Sequence, residues 1–282
     1  MDFVTLGVVS NVWATLLGTT SLEALCREAA GAGYGYVELR QGALGECEAD
    51  AARTLRPQPL PDRLAALAAR VPSLRYHLAV EAPFLTVGEA VDAAPFSTAV
   101  EGAAALGGDP PLLRLVDPTR STRLLPPDGF VGSVEKVRDL ARHAGARGVR
   151  LALENTAQPL STLRQLIEIV ADELEEDFLP PLLCWDAANM LSAITPEDPL
   201  AAAGSFGAEE LGLFHFKQVN GGVTQWEVGE GDIDWRRILR ALRDRGYRGA
   251  ALFEIPAGDD AQERLERSRE YVETLLREME EA

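Results

Sequence analysis

Lysine is almost missing from this chain. Lys136 and Lys217 are the only two, and arginine carries nearly all the basic charge. Acidic residues outnumber basic ones, and the formal net charge is −17. Such a balance repels nucleic-acid phosphate and argues against nucleic acid as a partner. Cysteine is scarce too. Cys26, Cys47 and Cys184 are odd in number and widely spaced, which excludes a disulfide framework or a zinc ribbon and points to a reducing, cytoplasmic compartment. No uncharged apolar run reaches the roughly eighteen residues that a membrane span needs. The start, Met1-Asp2-Phe3, passes straight into a strand-like run and has no signal-peptide pattern.

What is present is a long alternation. Hydrophobic residues make up 46 % of the 282, enough for a large core. Short apolar runs read as strands at Phe3–Ser10, Gly35–Leu39, Leu74–Val80, Leu112–Val116, Val149–Glu154, Leu182–Asp186, Leu211–Lys217 and Ala250–Ile255. Between them lie amphipathic stretches such as Ser21–Ala32, Asp62–Arg70, Gly129–Ala146, Thr162–Asp172, Trp235–Arg245 and Ala261–Glu280. Ser21 and Asp234 suit helix starts; Gly148, Gly246 and Gly249 stand where helices should stop. Eight strands alternating with helices over this length predict one α/β domain, a single (β/α)₈ TIM barrel spanning residues 1–282. The longest loops after strands are Arg40–Leu60, Glu81–Val87, Asp117–Asp128 and Asn220–Asp234, which would wall the catalytic face.

Side chains of a strand alternate between its two faces. Leu151 and Leu153 share one face, and Ala152 and Glu154 the other. Trp185 opposes Cys184 and Asp186; Phe214 and Phe216 oppose Leu213, His215 and Lys217; Phe253 and Ile255 oppose Leu252 and Glu254. The bulky sets suit packing against helices, which turns the polar ones into the barrel. Four successive strand ends then bring Glu154, Asp186, His215 and Glu254 to one rim. Three carboxylates cannot all ionise in a desolvated site without a cation. Oxygen ligands with one imidazole suit one divalent metal ion, with Mn²⁺ first and Mg²⁺, Co²⁺ or Zn²⁺ as alternatives. For any one of the four, a solvated strand-end carboxylate is the competing explanation; their coincidence favours a site.

The segments Leu-Ala-Leu-Glu154-Asn155, Cys-Trp-Asp186-Ala-Ala-Asn189, His215-Phe-Lys217-Gln218, Gly229-Glu-Gly-Asp-Ile-Asp-Trp235 and Leu-Phe-Glu254 resemble the xylose isomerase-like barrel superfamily. Within it the chain is similar to sugar phosphate isomerases/epimerases of the ketose 3-epimerase and inosose dehydratase group. The resemblance implies that Glu154, Asp186, His215 and Glu254 bind the metal. It also implies that Glu154 and Glu254 move the proton of a sugar-like ketone through a metal-stabilised enediolate. Two positions depart from the family pattern. Asn189 stands where many relatives carry a substrate-positioning histidine, and Gln218 where many carry aspartate.

Candidate substrate contacts are His77, Asn189, Lys217, Glu38 and Arg40. For His77 a hydrogen-bonded core histidine is an equal alternative, and for Glu38 and Arg40 an internal ion pair is. Arg114 points inward with the same ambiguity. Asn155 could bind a ligand or cap a turn, and Trp13 and Trp226 could wall the pocket. The expected partner is a small sugar-like molecule, with self-association left open. The alternatives are a metal-dependent lyase or dehydratase, a non-catalytic sugar-binding barrel, and an AP-endonuclease-like nuclease. The last needs more histidines than His77, His143 and His215 supply.

Overall fold

A computed structural model of the chain describes residues 3–49, 54–119, 123–207 and 209–281. Met1 and Asp2, residues 50–53 of the Arg40–Leu60 loop and 120–122 of the Asp117–Asp128 loop lie outside the described residues. Eight parallel strands close into a barrel in chain order. They are β1 Thr5–Val9, β2 Tyr36–Arg40, β3 Arg75–Glu81, β4 Leu112–Val116, β5 Arg150–Glu154, β6 Leu182–Asp186, β7 Leu211–Phe216 and β8 Ala250–Phe253. Helices α1 Leu22–Gly31, α2 Leu60–Arg70, α3 Ala93–Leu106, α4 Pro127–Gly145, α5 Leu160–Glu173, α6 Ala187–Ser192, α7 Pro199–Ala203, α8 Trp235–Asp244 and α9 Ala261–Glu281 lie between and after the strands. The single (β/α)₈ barrel expected from the alternation is the fold observed. Among the described residues no helix is long and apolar enough to cross a membrane.

Local chemistry places the element ends. Ser21 Oγ accepts from Ala24 N at 3.2 Å, and Asp234 Oδ1 accepts from Arg237 N at 3.0 Å, so both cap their helices. Gly148 and Gly246 follow α4 and α8 at φ +70° and +83°, a region that side chains other than glycine rarely adopt. Gly249 does a different job from the stop expected of it. A Cβ there would meet the Tyr247 hydroxyl at 2.3 Å.

The two faces of the strands are filled differently. Outside, Trp185, Phe214, Phe216 and Phe253 pack with Trp235 of α8 in one aromatic cluster. Inside, Val9, Leu112, Ala152, Cys184, Leu213, Ala250 and Leu252 form a separate apolar layer. The interior is tight: a Cβ on Gly7 would meet Leu252 Cδ2 at 2.4 Å. Charged side chains begin just above and among this layer.

Candidate metal centre

The strand register brings the four expected ligands together. Asp186 is the cross-strand partner of His215, Glu154 that of Cys184, and Leu252 that of His215. Glu254 follows β8 directly, two residues after Leu252, its N–H donating to Phe216 O at 3.0 Å. Each ligand is thus set level with its neighbour or one inward step along the chain from it, and the tilt of barrel strands turns that staircase into a ring. Ligand atoms of Glu154, Asp186, His215 and Glu254 lie within 4.8 Å of one another, and all four residues are buried.

His215 Nδ1 is the nitrogen that faces the carboxylates. It lies 3.7 Å from Glu154 Oε1, 3.9 Å from Asp186 Oδ2 and 3.3 Å from Glu254 Oε2. Nδ1 has no hydrogen-bond partner although it is buried. A buried polar atom without a partner is rare unless an unseen ion or water completes it. The opposite nitrogen, Nε2, faces Cys184 Sγ at 3.7 Å and Glu38 Oε1 at 3.6 Å.

Charge points the same way. Four buried carboxylates, Glu38, Glu154, Asp186 and Glu254, face the buried Arg114 and the partly exposed Lys217. Arg40 stays partly in solvent at the rim. The carboxylates outnumber the cations that face them, and a divalent ion with His215 neutral would supply the missing positive charge. The residues present therefore fit a divalent metal ion. Burial disfavours charge on the His215 ring, yet Cys184, Glu254 and Asp186 outweigh that and hold its pKa well above the ordinary value; a cation among the carboxylates would take the place of that proton. Burial likewise raises the Glu254 and Asp186 carboxyls, and the Lys217 ammonium overcomes it, so both end below the usual range.

Lys217 Nζ lies 2.6 Å from Asp186 Oδ2 and 2.7 Å from Glu254 Oε2. The first contact is a hydrogen bond; the second lacks the alignment of one, and Glu254 Oε2 is left without a hydrogen-bond partner. Asp186 Oδ1 caps α6, accepting from Ala188 N at 2.8 Å and Asn189 N at 3.0 Å. One carboxylate thus starts a helix and presents its other oxygen to the centre.

Above the quartet opens a cavity of about 1020 Å³, lined among others by Asn11, Arg40, Glu81, Glu154, Asn189, Lys217 and Glu254. Arg40, Asn189 and Lys217 stand where substrate contacts were expected. Glu38 and His77 do not. Glu38 is fully buried beneath the cavity and is taken by Arg114. His77 is the third of the seven residues of β3 and sits beside Tyr36 with ring centroids 5.0 Å apart. Neither residue lines the rim cavity, because the strand runs four residues past His77 before it reaches the rim. Trp13 is buried in the core away from this cavity, and Trp226 is exposed, with Arg264 4.8 Å from its ring centroid.

Both departures from the family pattern have a structural account. Asn189 Nδ2 donates to Glu154 Oε1 at 3.2 Å and Asn155 O at 2.9 Å, so the amide orients the carboxylate. Gln218 turns away from the centre. Its Nε2 donates to Gly229 O and, at 3.1 Å, to Ile233 O; its Oε1 accepts from Val219 N at 2.9 Å and Ile233 N at 3.1 Å. An aspartate has no N–H and could not make the first two bonds. Asn11 is a cavity residue that sequence reasoning passed over. Its Oδ1 is buried without a partner, and the residue lies in the short 3₁₀ turn Ser10–Trp13 after β1, where strand alternation gives no signal.

A family model described as Xylose isomerase-like TIM barrel matches residues 26–276. The chain belongs to this family. Among solved structures, this family member resembles an L-ribulose 3-epimerase (19 % identity, 97 % of this chain and 95 % of that one, TM-score 0.69). It also resembles a D-allulose 3-epimerase from Methylomonas sp. (18 %, 98 % and 99 %, 0.70). A third is the IolI protein with a bound zinc atom (18 %, 98 % and 98 %, 0.69). At such identities the likeness establishes the fold alone. No protein of curated function matches the sequence.

Proposed function

We propose that this chain is a divalent-metal-dependent isomerase or epimerase of a sugar or related polyhydroxy ketone. The observation that carries the reading is the buried quartet Glu154, Asp186, His215 and Glu254, which opens upward into a cavity of small-molecule size. Two similar structures are of sugar 3-epimerases, and a third holds zinc. The oxygen-rich donor set favours Mn²⁺, with Mg²⁺, Co²⁺ or Zn²⁺ as alternatives. The three cysteines are free and buried, in keeping with the cytoplasm.

A divalent ion held by Glu154, Asp186, His215 and Glu254 would supply positive charge to the oxygens of a hydroxy-ketone and so ease loss of the proton on the hydroxyl-bearing carbon beside the carbonyl. The rest falls to this chain's own residues. Glu154 ends β5 and Glu254 follows β8, and they reach the cavity from either side of Asp186 and His215. One is placed to take a proton from the substrate carbon and the other to return it on the opposite face. Arg114 holds Glu154 Oε2, which leaves Oε1 for the centre. Lys217 keeps Asp186 and Glu254 ionised and available. Arg40 Nε is buried without a hydrogen-bond partner, 3.9 Å from Glu254 Oε1, and is poised to bind a substrate oxygen.

The experiment is a ketose screen with metal-loaded protein in D₂O, followed by NMR. Exchange of a carbon-bound proton without loss of material is the expected result. Glu154→Gln and Glu254→Gln should each lower turnover by about two or more orders of magnitude while retaining some metal. Loss of water from the substrate would establish a lyase instead, and near-normal epimerisation by either variant would place the proton carriers elsewhere.

A further inference from the structure

Below the metal centre runs a chain of charges of which the proposed chemistry uses only the Glu154 end. Arg114 is fully buried. Its Nε lies 2.9 Å from both Glu38 oxygens, and its Nη2 lies 2.6 Å from Glu38 Oε1. Its Nη1 donates to Glu154 Oε2. Glu38 is fully buried as well, and its Oε1 is the carboxylate oxygen facing His215 Nε2 at 3.6 Å. The assembly joins β2, β4, β5 and β7 across the barrel interior.

Stability is a poor reason for it. Desolvating an ion pair costs about as much as the pair returns, and apolar side chains of similar volume often serve as well or better. This interior is filled elsewhere in that way, with Val9, Leu112, Ala152, Leu213 and Leu252 close by. The charges do something an aliphatic cannot: each end of the assembly fixes one ligand. At one end Arg114 engages Glu154 Oε2, so Oε1 alone is turned toward His215 Nδ1. At the other end a carboxylate and a thiol face Nε2, which suits a proton on Nε2 and a free lone pair on Nδ1.

We propose that Glu38 and Arg114 form a buried positioning pair that aims His215 Nδ1 and Glu154 Oε1 at the metal centre. The proposal rests on the metal-site reading above. Neither residue touches substrate, so both act through the ligands they hold.

The test uses Co²⁺ alone, with affinity read by chelator competition and geometry by the visible absorption of the ion. Two variants are needed. Glu38→Gln keeps shape and removes the charge. The paired change Glu38→Leu with Arg114→Met replaces the ion pair by apolar volume, which a purely structural role would tolerate. Both are expected to fold, by circular dichroism, and to bind Co²⁺ roughly 10- to 100-fold more weakly, the usual scale for losing a group that orients a ligand. The Co²⁺ absorption should change in both. Folded variants with the affinity and spectrum of the unaltered chain would overturn the pair's role and leave the metal site standing. If neither variant folds, the pair belongs to the barrel's stability and the positioning role is withdrawn. Failure of the unaltered chain to bind Co²⁺ would overturn the metal reading and this proposal together.

Discussion

The side chain of Asn155 clamps the backbone of Asp186 from both sides. Its Oδ1 accepts from Asp186 N at 2.7 Å, and its Nδ2 donates to Asp186 O at 2.8 Å. The amide extends the pairing of β5 and β6 just where the barrel ladder ends, and so sets the distance between Glu154 and Asp186, two of the four proposed ligands. Asn155→Ala would leave two buried backbone groups unpaired. The expected loss is about 1–3 kcal/mol of stability together with weaker Co²⁺ binding. Thermal melts and metal titration check both. Asn155→Asp, which cannot donate to Asp186 O, should recover only part.

One divalent ion per chain is expected in protein purified without chelator, by elemental analysis. Asp186→Ala and His215→Ala each remove a ligand atom and should lower occupancy sharply. Full occupancy in the double variant would refute the assignment.

Lys217 and a bound cation draw on the same oxygens, Asp186 Oδ2 and Glu254 Oε2. Lys217→Met keeps the stem and removes the ammonium. The metal-free variant should melt at a lower temperature, because two buried carboxylates lose their countercharge. Co²⁺ should raise its melting temperature by more than it does in the unaltered chain. An equal or smaller rise would show that the ammonium assists metal binding instead of competing with it.

His77 supplies a pH dependence. Burial, more than any neighbour, pushes its pKa down to about 4, against an ordinary value of 6.5. Between these values the unfolded chain holds a proton on this ring that the folded chain does not. Its contribution to stability is therefore complete above about pH 6.5 and is lost as pH falls toward about 4. Urea midpoints at pH 6.5 and 4.5 should converge in His77→Gln relative to the unaltered chain, and an unchanged gap would count against the assignment.

Lys136 fastens a rim loop. Its Nζ donates to Pro83 O and Thr86 O at 2.9 Å and to Glu89 O at 2.7 Å. Lys136→Met should speed amide exchange in residues 83–89 and leave metal affinity unchanged, because the bonds it removes run to Pro83, Thr86 and Glu89 and to none of the four proposed ligands.

The parity of four strands was enough to gather Glu154, Asp186, His215 and Glu254, because an inward polar residue at a barrel strand's C-terminal end has one place to go. The same reasoning left His77 open between rim and core, since parity gives the face of a strand and not the height along it. Helix α3, Ala93–Leu106, was not singled out. Its residues are mostly small and apolar, and Phe96, Ala99, Val100, Ala103 and Leu106 are among many buried around it, so no clear polar stripe marks a period.

By itself, then, the chain's pattern of alternation determined the barrel, its eight strands and the four side chains that converge on one rim. Only the tertiary structure decided what each partner does: that Glu38 belongs to Arg114, that Gln218 ties a loop, and that Asn189 orients Glu154. Periodicity records which face a residue takes within its own element. Hydrogen-bond partners come from strands and loops far apart in sequence, and only closure of the barrel brings them within reach.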